Sequence, residues 1–318
     1  METTTIEGGG GMKYRLFGIL LFLLFLAWTT LDGLVEGDWG RLEGGLSNLA
    51  VFFEESMWPP NWSVLEARSY PVCEQDIEFF CSVGYLGMME TLKIAFVSTI
   101  LGFVGAISLS SLAARNLMPL YISLPVRIFL SAVRSLPSLI WAILFVIVIG
   151  FGPLSGVLAM TFYTVGYLGK LQYEVFEGMP NDPLEAGRAM GLHRSSILLN
   201  IVIPENSNHL LSQLMFMFEY NVRHGTVIGI VGAGGIGYYI HTYLKFLQYD
   251  KVFALLIIIF VVVVLIDLLS LAIRSFVNEE GDVRKPTWLN MLIQARKRKS
   301  LDGLAATPPQ LLWPRWYR

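Results

Sequence analysis

The sequence predicts an all-α integral membrane protein with about six transmembrane helices. Two features carry that prediction. Of the 318 residues, 54% are apolar and only 15% are charged, against roughly 25% charged in an ordinary soluble domain. Apolar, nearly charge-free runs also recur at the length a bilayer demands, about 20 residues. The phospholipid membrane is therefore the solvent for most of this chain. The net charge of −2 carries no basic bias, so a nucleic-acid partner is not expected.

The elements follow in order. Residues 1–15 end in Lys13 and Arg15 and precede an apolar run, 16–31. No small-residue cleavage pattern follows it, so it reads as a retained anchor. Residues 31–87 carry ten acidic and two basic residues; with so few basic residues, segment 32–87 is expected outside. Its acidity and length suit a docking surface. It holds both cysteines, Cys73 and Cys81. Outside the cell a small disulfide loop is possible, and two free thiols are the alternative. Residues 94–114 bring the next apolar run.

Residues 135–169 are uncharged and too long for one helix. The Gly-Phe-Gly-Pro stretch at 150–153 is expected to break them. The first of the two resulting spans is expected to start near Leu124, and so to contain Arg127 and Arg134. These two arginines stand seven residues apart, on one helix face, with Arg127 near a membrane boundary where its side chain can snorkel. A short apolar run, 210–218, and a long one, 252–273, complete the six; only Asp267 interrupts the last, and it suits helix packing or a partner contact. The stretch from Arg274 onward has nine basic and four acidic residues. It is expected inside, as a cytoplasmic tail 275–318, either an amphipathic surface helix over Trp288–Ser300 or disordered. With both ends inside, six spans place loop 176–206 inside as well.

That loop reads as a helix-turn-helix. Asp182-Pro183-Leu184-Glu185 has the look of a capped helix start, with Asp182 accepting from first-turn amides and Glu185 reaching back. Gly191 can close the helix in the left-handed conformation. A second short helix from Ser195 is expected to end before Pro204.

Here the chain resembles a family. Glu185-Ala186-Gly187, three residues, Gly191, nine residues, then Ile201-Val202-Ile203-Pro204 is similar to the EAA loop of ABC importer permeases. Gly187 stands for the second Ala of that pattern and Ile203 for a Leu; the spacing is kept. The stretches at 90–116, 134–160 and 218–237 resemble the phosphonate-type importer permeases, over roughly residues 88–274. The resemblance implies a type I ABC importer architecture in the bacterial inner membrane, with 88–274 as the permease core. It implies that Glu185, Ala186, Gly187, Gly191, Ile201 and Pro204 couple to an ATPase. It implies a second copy of the chain, two cytoplasmic ATPase subunits that hold ATP and Mg, and an extracytoplasmic substrate-binding protein. The cargo so implied is phosphonate or a related phosphorus oxyanion. Phosphite, phosphate, methionine and betaine remain open alternatives.

Gly232, Gly234 and Gly237 also spell a dinucleotide turn, and Asp250 stands at a tolerable distance for a ribose contact. A nucleotide turn needs a strand before it and a helix after it in a βαβ unit, and membrane spans surround this one. A bend or re-entrant turn at Gly232, Gly234, Gly235 and Gly237 fits better, since glycine tolerates positive φ and broken backbone is allowed where it lines a cavity. Close helix packing is the plainer alternative. The chain is thus expected to hold no cofactor, and a membrane enzyme using this turn is the rival class. A channel without ATPase partners is another.

Polar residues in or near spans are Arg134, Glu219, Asn221, Arg223 and His224. Such groups are costly in lipid and face a cavity or a partner. Arginine suits oxyanions, so these residues are candidates for an anion pathway. A Glu219–Arg223 pair at i, i+4 is the structural alternative. The four histidines are scattered, and no metal cluster or nucleophile–base pair stands out.

Overall fold

A computed structural model describes residues 9–36, 39–68 and 77–277. In chain order the helices are α1 (Gly9–Val35), α2 (Gly40–Phe52), α3 (Val83–Ala113), α4 (Leu120–Ser135), α5 (Ser138–Ile149), α6 (Pro153–Gly178), α7 (Asn181–Ala189), α8 (Arg194–Ile197), α9 (Ile203–Glu205), α10 (Ser207–Ile228), α11 (Ile236–Lys245) and α12 (Tyr249–Val277). Among the described residues there is no strand, only one isolated bridge between Ala67 and Ser82. The fold is all-α.

Among the described residues three helices are long and apolar enough to cross a membrane, at Tyr14–Val35, Val83–Ala113 and Tyr249–Ser275. Two bent pairs raise the number to five: α4 with α5, at 89°, and residues 207–231 with α11, at 42°. The expected single span from Leu124 is thus two helices. Leu136 is extended, at φ −93 and ψ 131, because Pro137 follows it. The run expected at 210–218 lies toward the N-terminal side of a 22-residue helix. α6, at 26 residues, is long enough to cross but too polar to stand out by hydropathy. Its polar positions are tolerated because they meet protein: Ser155, Thr164, Gln172 and eight other residues from Gly156 to Phe176 are buried in the bundle.

The chain divides into two compact units. The first comprises residues 1–87 and 239–258. There Asn61 donates through its side chain to Asp250 Oδ2 at 2.8 Å, and its backbone N–H donates to the Asp250 carbonyl at 3.2 Å. Phe53, Trp58 and Phe253 form an aromatic cluster, with centroids 5.3 to 6.5 Å apart. Arg68 donates to the Tyr239 hydroxyl at 3.2 Å. Cys81 is disulfide-bonded; Cys73 lies outside the described residues.

The second unit, residues 88–238 and 259–318, holds the rest. One of its apolar clusters joins Ala113, Leu130, Phe176, Leu184, Ile197, Val202 and Leu210. Another joins Ile94, Ala142, Met160, Ile228 and Ala233. Small residues on α6 let its neighbours close in. A Cβ on Gly166 would stand 2.9 Å from the backbone N of Arg134, and one on Gly156 would stand 2.4 Å from the Ala233 carbonyl oxygen.

Candidate functional sites

The connector after α6 is a folded hairpin. α7 starts at Asn181, directly after Pro180, and no side chain caps it. The expected capping box is therefore not formed. Asp182 and Pro183 sit inside the first turn, where a missing N–H costs nothing, and Glu185 is exposed. The helix ends in a Schellman motif: Gly191, at φ +71, donates to the Arg188 carbonyl at 3.0 Å, and Leu192 donates to that of Gly187 at 3.1 Å. The second helix begins at Arg194 rather than Ser195 and does not stop before Pro204. It widens into a π turn, Leu198–Val202, and Pro204 falls in the first turn of α9, a position that needs no N–H.

The hairpin is anchored by Leu184, Ile197 and Val202, which are buried with Phe176 of α6 and Ala113 of α3. Gly187 is buried because Ile201 occupies the space beside it; a Cβ there would stand 2.6 Å from Ile201 Cδ1. Arg188 donates to the Asn116 carbonyl. Arg127 does not snorkel free: it pairs with Glu177, donates to the Ala113 carbonyl at 2.9 Å, and lies over the Tyr173 ring at 4.4 Å. The outward side of the hairpin offers Glu185, Ala186, Met190, Leu192 and Leu199, all exposed.

The glycine turn joins α10 to α11. Gly232, Gly234 and Gly235 have φ of +88, +84 and +77. Gly237 does not; it lies within α11 and packs so closely that a Cβ would stand 2.0 Å from the Thr226 carbonyl oxygen. Bend and close packing are therefore both present in one segment. Thr91 of α3 ties the turn down by accepting from the Ile236 N–H at 2.9 Å. The Gly152 N–H donates to the Gly232 carbonyl at 3.0 Å.

The five polar candidates separate into three environments. Asn221 is fully buried and donates to Thr99 at 2.9 Å and to Thr164 at 3.0 Å. The expected Glu219–Arg223 pair is absent. Arg223 instead holds Asp267 with two bonds of 2.7 and 2.6 Å, and Glu219 accepts from Arg274 at 2.9 Å. Spacing on one helix could not reveal this, since both true partners lie on α12.

Arg134 and His224 come together. They line a cavity of about 410 Å³ with Ser135, Pro137, Ser138, Tyr163 and Tyr220. His224 Nδ1 lies 3.1 Å from the Tyr220 carbonyl, and the rings of Tyr220 and His224 stack at 3.7 Å. Tyr220 donates to the Tyr163 hydroxyl at 2.8 Å. The sequence reading missed both tyrosines and Ser138. The signals were Tyr220 and His224 at i, i+4, Tyr163 and Tyr167 at i, i+4, and Pro137 beside an arginine.

An all-α membrane bundle with a polar cavity at a broken helix and an anchored hairpin has the form of a transport subunit. The chain matches the model of the "binding-protein-dependent transport system inner membrane component" family over residues 106–278 and belongs to that family. It is thus an inner-membrane permease of the ABC importer type. A phosphite transport system permease protein, PtxC, of Stutzerimonas stutzeri is 33% identical over 83% of this chain and 88% of its own length. A phosphate-import permease protein, PhnE, of Mycolicibacterium smegmatis is 38% identical over 69% of this chain and 38% of its own. Among solved structures, the MetNI methionine ABC transporter in an inward-facing conformation aligns with a TM-score of 0.55 at 24% identity, over 61% of this chain and 96% of that one. A bacterial ABC transporter for alginate aligns at 0.54 and 17%, over 79% of this chain and all (100%) of that one. At these identities the structural matches speak for the fold alone.

Proposed function

We propose that this chain is the membrane-spanning subunit of an ATP-driven importer for phosphonate or a related phosphorus oxyanion. Two copies would work with two cytoplasmic ATPase subunits, which hold ATP and Mg, and with an extracytoplasmic binding protein. Both ends of the chain and the 176–206 segment lie inside, and residues 32–87 lie outside. The observation that carries the coupling is the hairpin: a rigid, Schellman-closed unit whose inner side is buried in the bundle and whose outer side is exposed. A partner that pushes on Glu185, Ala186 and Met190 moves α3 and α6 with it, because packed cores transmit displacement instead of absorbing it. The substrate class is supported by the relatives named for phosphite and phosphate transport and by Arg134, which lines a cavity and pairs with no carboxylate among the described residues.

The test is ATPase activity of the reconstituted complex with its binding protein, over phosphonates, phosphite, phosphate, methionine and betaine. Stimulation by a phosphorus oxyanion, lost in Glu185→Ala or Gly191→Pro while assembly persists, is the expected result. Stimulation by methionine or betaine alone would overturn the substrate class. Loop variants equal to the parent would overturn the coupling role.

A further inference from the structure

The cavity at the α4–α5 break differs from a plain water-filled gap in its chemistry. Three arginines of the same unit find a carboxylate: Arg127 with Glu177, Arg223 with Asp267, and Arg274 with Glu219. Arg134 makes no ion pair or hydrogen bond with any described residue, and no carboxylate lines the cavity. Ser138 lines the same space. It is 5% exposed, and its hydroxyl has no partner among the described residues. The hydroxyl opens onto the cavity, where a ligand or water can reach it.

The backbone adds to this. α5 is a 12-residue helix whose first residues are Ser138 and Leu139, and both line the cavity. First-turn amides have no intrahelical acceptor and stand at the positive end of the helix dipole. On the far wall, the His224 Nδ1 contact with a carbonyl requires an N–H at that nitrogen. Nε2 is then an acceptor, suited to the O–H of a protonated oxyanion. The Tyr220 proton is committed to Tyr163, which leaves the Tyr163 proton free for another acceptor.

We infer that this cavity is a saturable site for a small tetrahedral oxyanion on the permease itself, with Arg134, the α5 amides and Ser138 on one wall and His224 and Tyr163 on the other. This rests on the oxyanion-importer reading above. At about 410 Å³ the space holds roughly a dozen waters, at about 30 Å³ each in the liquid. The anion therefore keeps part of its hydration shell. One cation and a set of neutral donors hold it weakly enough to be released, as conduction through a multi-step path requires. Guanidinium supplies charge and a flat donor fork; serine and the helix start supply geometry.

The experiment is uptake of phosphite, methylphosphonate and inorganic phosphate by the reconstituted importer with its binding protein, with KM and maximal rate measured separately. The binding protein sets KM, so a defect in a permease site appears in the maximal rate. Arg134→Gln is expected to lower the maximal rate about tenfold, the worth of one charged hydrogen bond, with KM unchanged. Arg134→Lys keeps the charge and is expected to recover most of the loss. Ser138→Ala removes one oxygen without disturbing packing and is expected to lower the rate about threefold, a neutral hydrogen bond's share. It carries the test if the arginine variant fails to assemble. Parental rates in Arg134→Gln and Ser138→Ala, in a complex that transports one of the three anions, would overturn the site and leave the importer standing. No uptake of any of the three by the parent would overturn the importer reading and the site with it.

Discussion

Gly237→Ala isolates the close approach at the glycine turn. The backbone of Gly237 is helical, so alanine brings no φ strain and by propensity alone would favour the helix. The whole effect comes from contact. The new Cβ would stand 2.0 Å from the Thr226 carbonyl oxygen and 3.0 Å from Gly229 Cα. An ordinary C···O contact is about 3.3 Å, so α10 and the start of α11 must part by about 1.3 Å. All the obstructing atoms are backbone, so no side chain can rotate away. Overpacking of this kind costs about 1–3 kcal/mol, and a backbone-to-backbone clash belongs at the top of that range. At roughly 2 °C per kcal/mol for a large domain, the thermal midpoint should fall by about 6 °C. The assay is thermal unfolding of the purified permease in detergent. Gly18→Ala is the control: it sits on α1 with nothing within 4 Å of an added Cβ and should leave the midpoint unchanged or slightly higher. A Gly237→Ala midpoint within 1–2 °C of the parent, by the same scale, would refute the claim that the turn is closed by backbone contact.

Asn221→Leu should cost about 1–3 kcal/mol, because it strands the hydroxyl of Thr164 and takes one bond from that of Thr99; a thermal midpoint equal to the parent's would rule out the three-helix link. Asp267→Arg should reduce the yield of folded protein by setting two cations together, and adding Arg223→Asp should restore much of it. A double variant no better than the single one would refute that pairing. Cys81→Ser should lower stability by about 2–4 kcal/mol, the usual range for a lost disulfide. Reductant should destabilise the parent and leave that variant unmoved.

Long apolar helices were legible because their signal is local. α1, α3 and α12 were each expected, and the structure extends them by a turn or more. The hairpin was legible too, since Gly191 in the left-handed region leaves a mark at one position. What escaped was relational. α6 and α10 carry Thr164, Gln172, Asn221 and Arg223 in runs that hydropathy alone undervalues, and those residues are tolerated because α3 and α12, and α6 and α10 between themselves, supply partners. The break at Leu136–Pro137 was hidden because Pro125, in the same stretch, sits inside α4 without ending it. Arg134 was named from its type alone; that Ser138 and Tyr163 would face the same space depended on the bend between α4 and α5.

The buried amide of Asn221 has a mechanical consequence. It holds Thr99 of α3 and Thr164 of α6 from its place on α10, so sliding any of the three past the others would leave polar atoms unbonded in an apolar interior. These helices must travel together, like a single beam. If the permease changes shape, the pivots must lie elsewhere: at the extended Leu136–Pro137 joint and at the glycines from 232 to 235, whose positive φ lets the backbone turn outside any helix. The oxyanion cavity borders the first pivot, so a change of angle there would alter its walls without unmaking the beam.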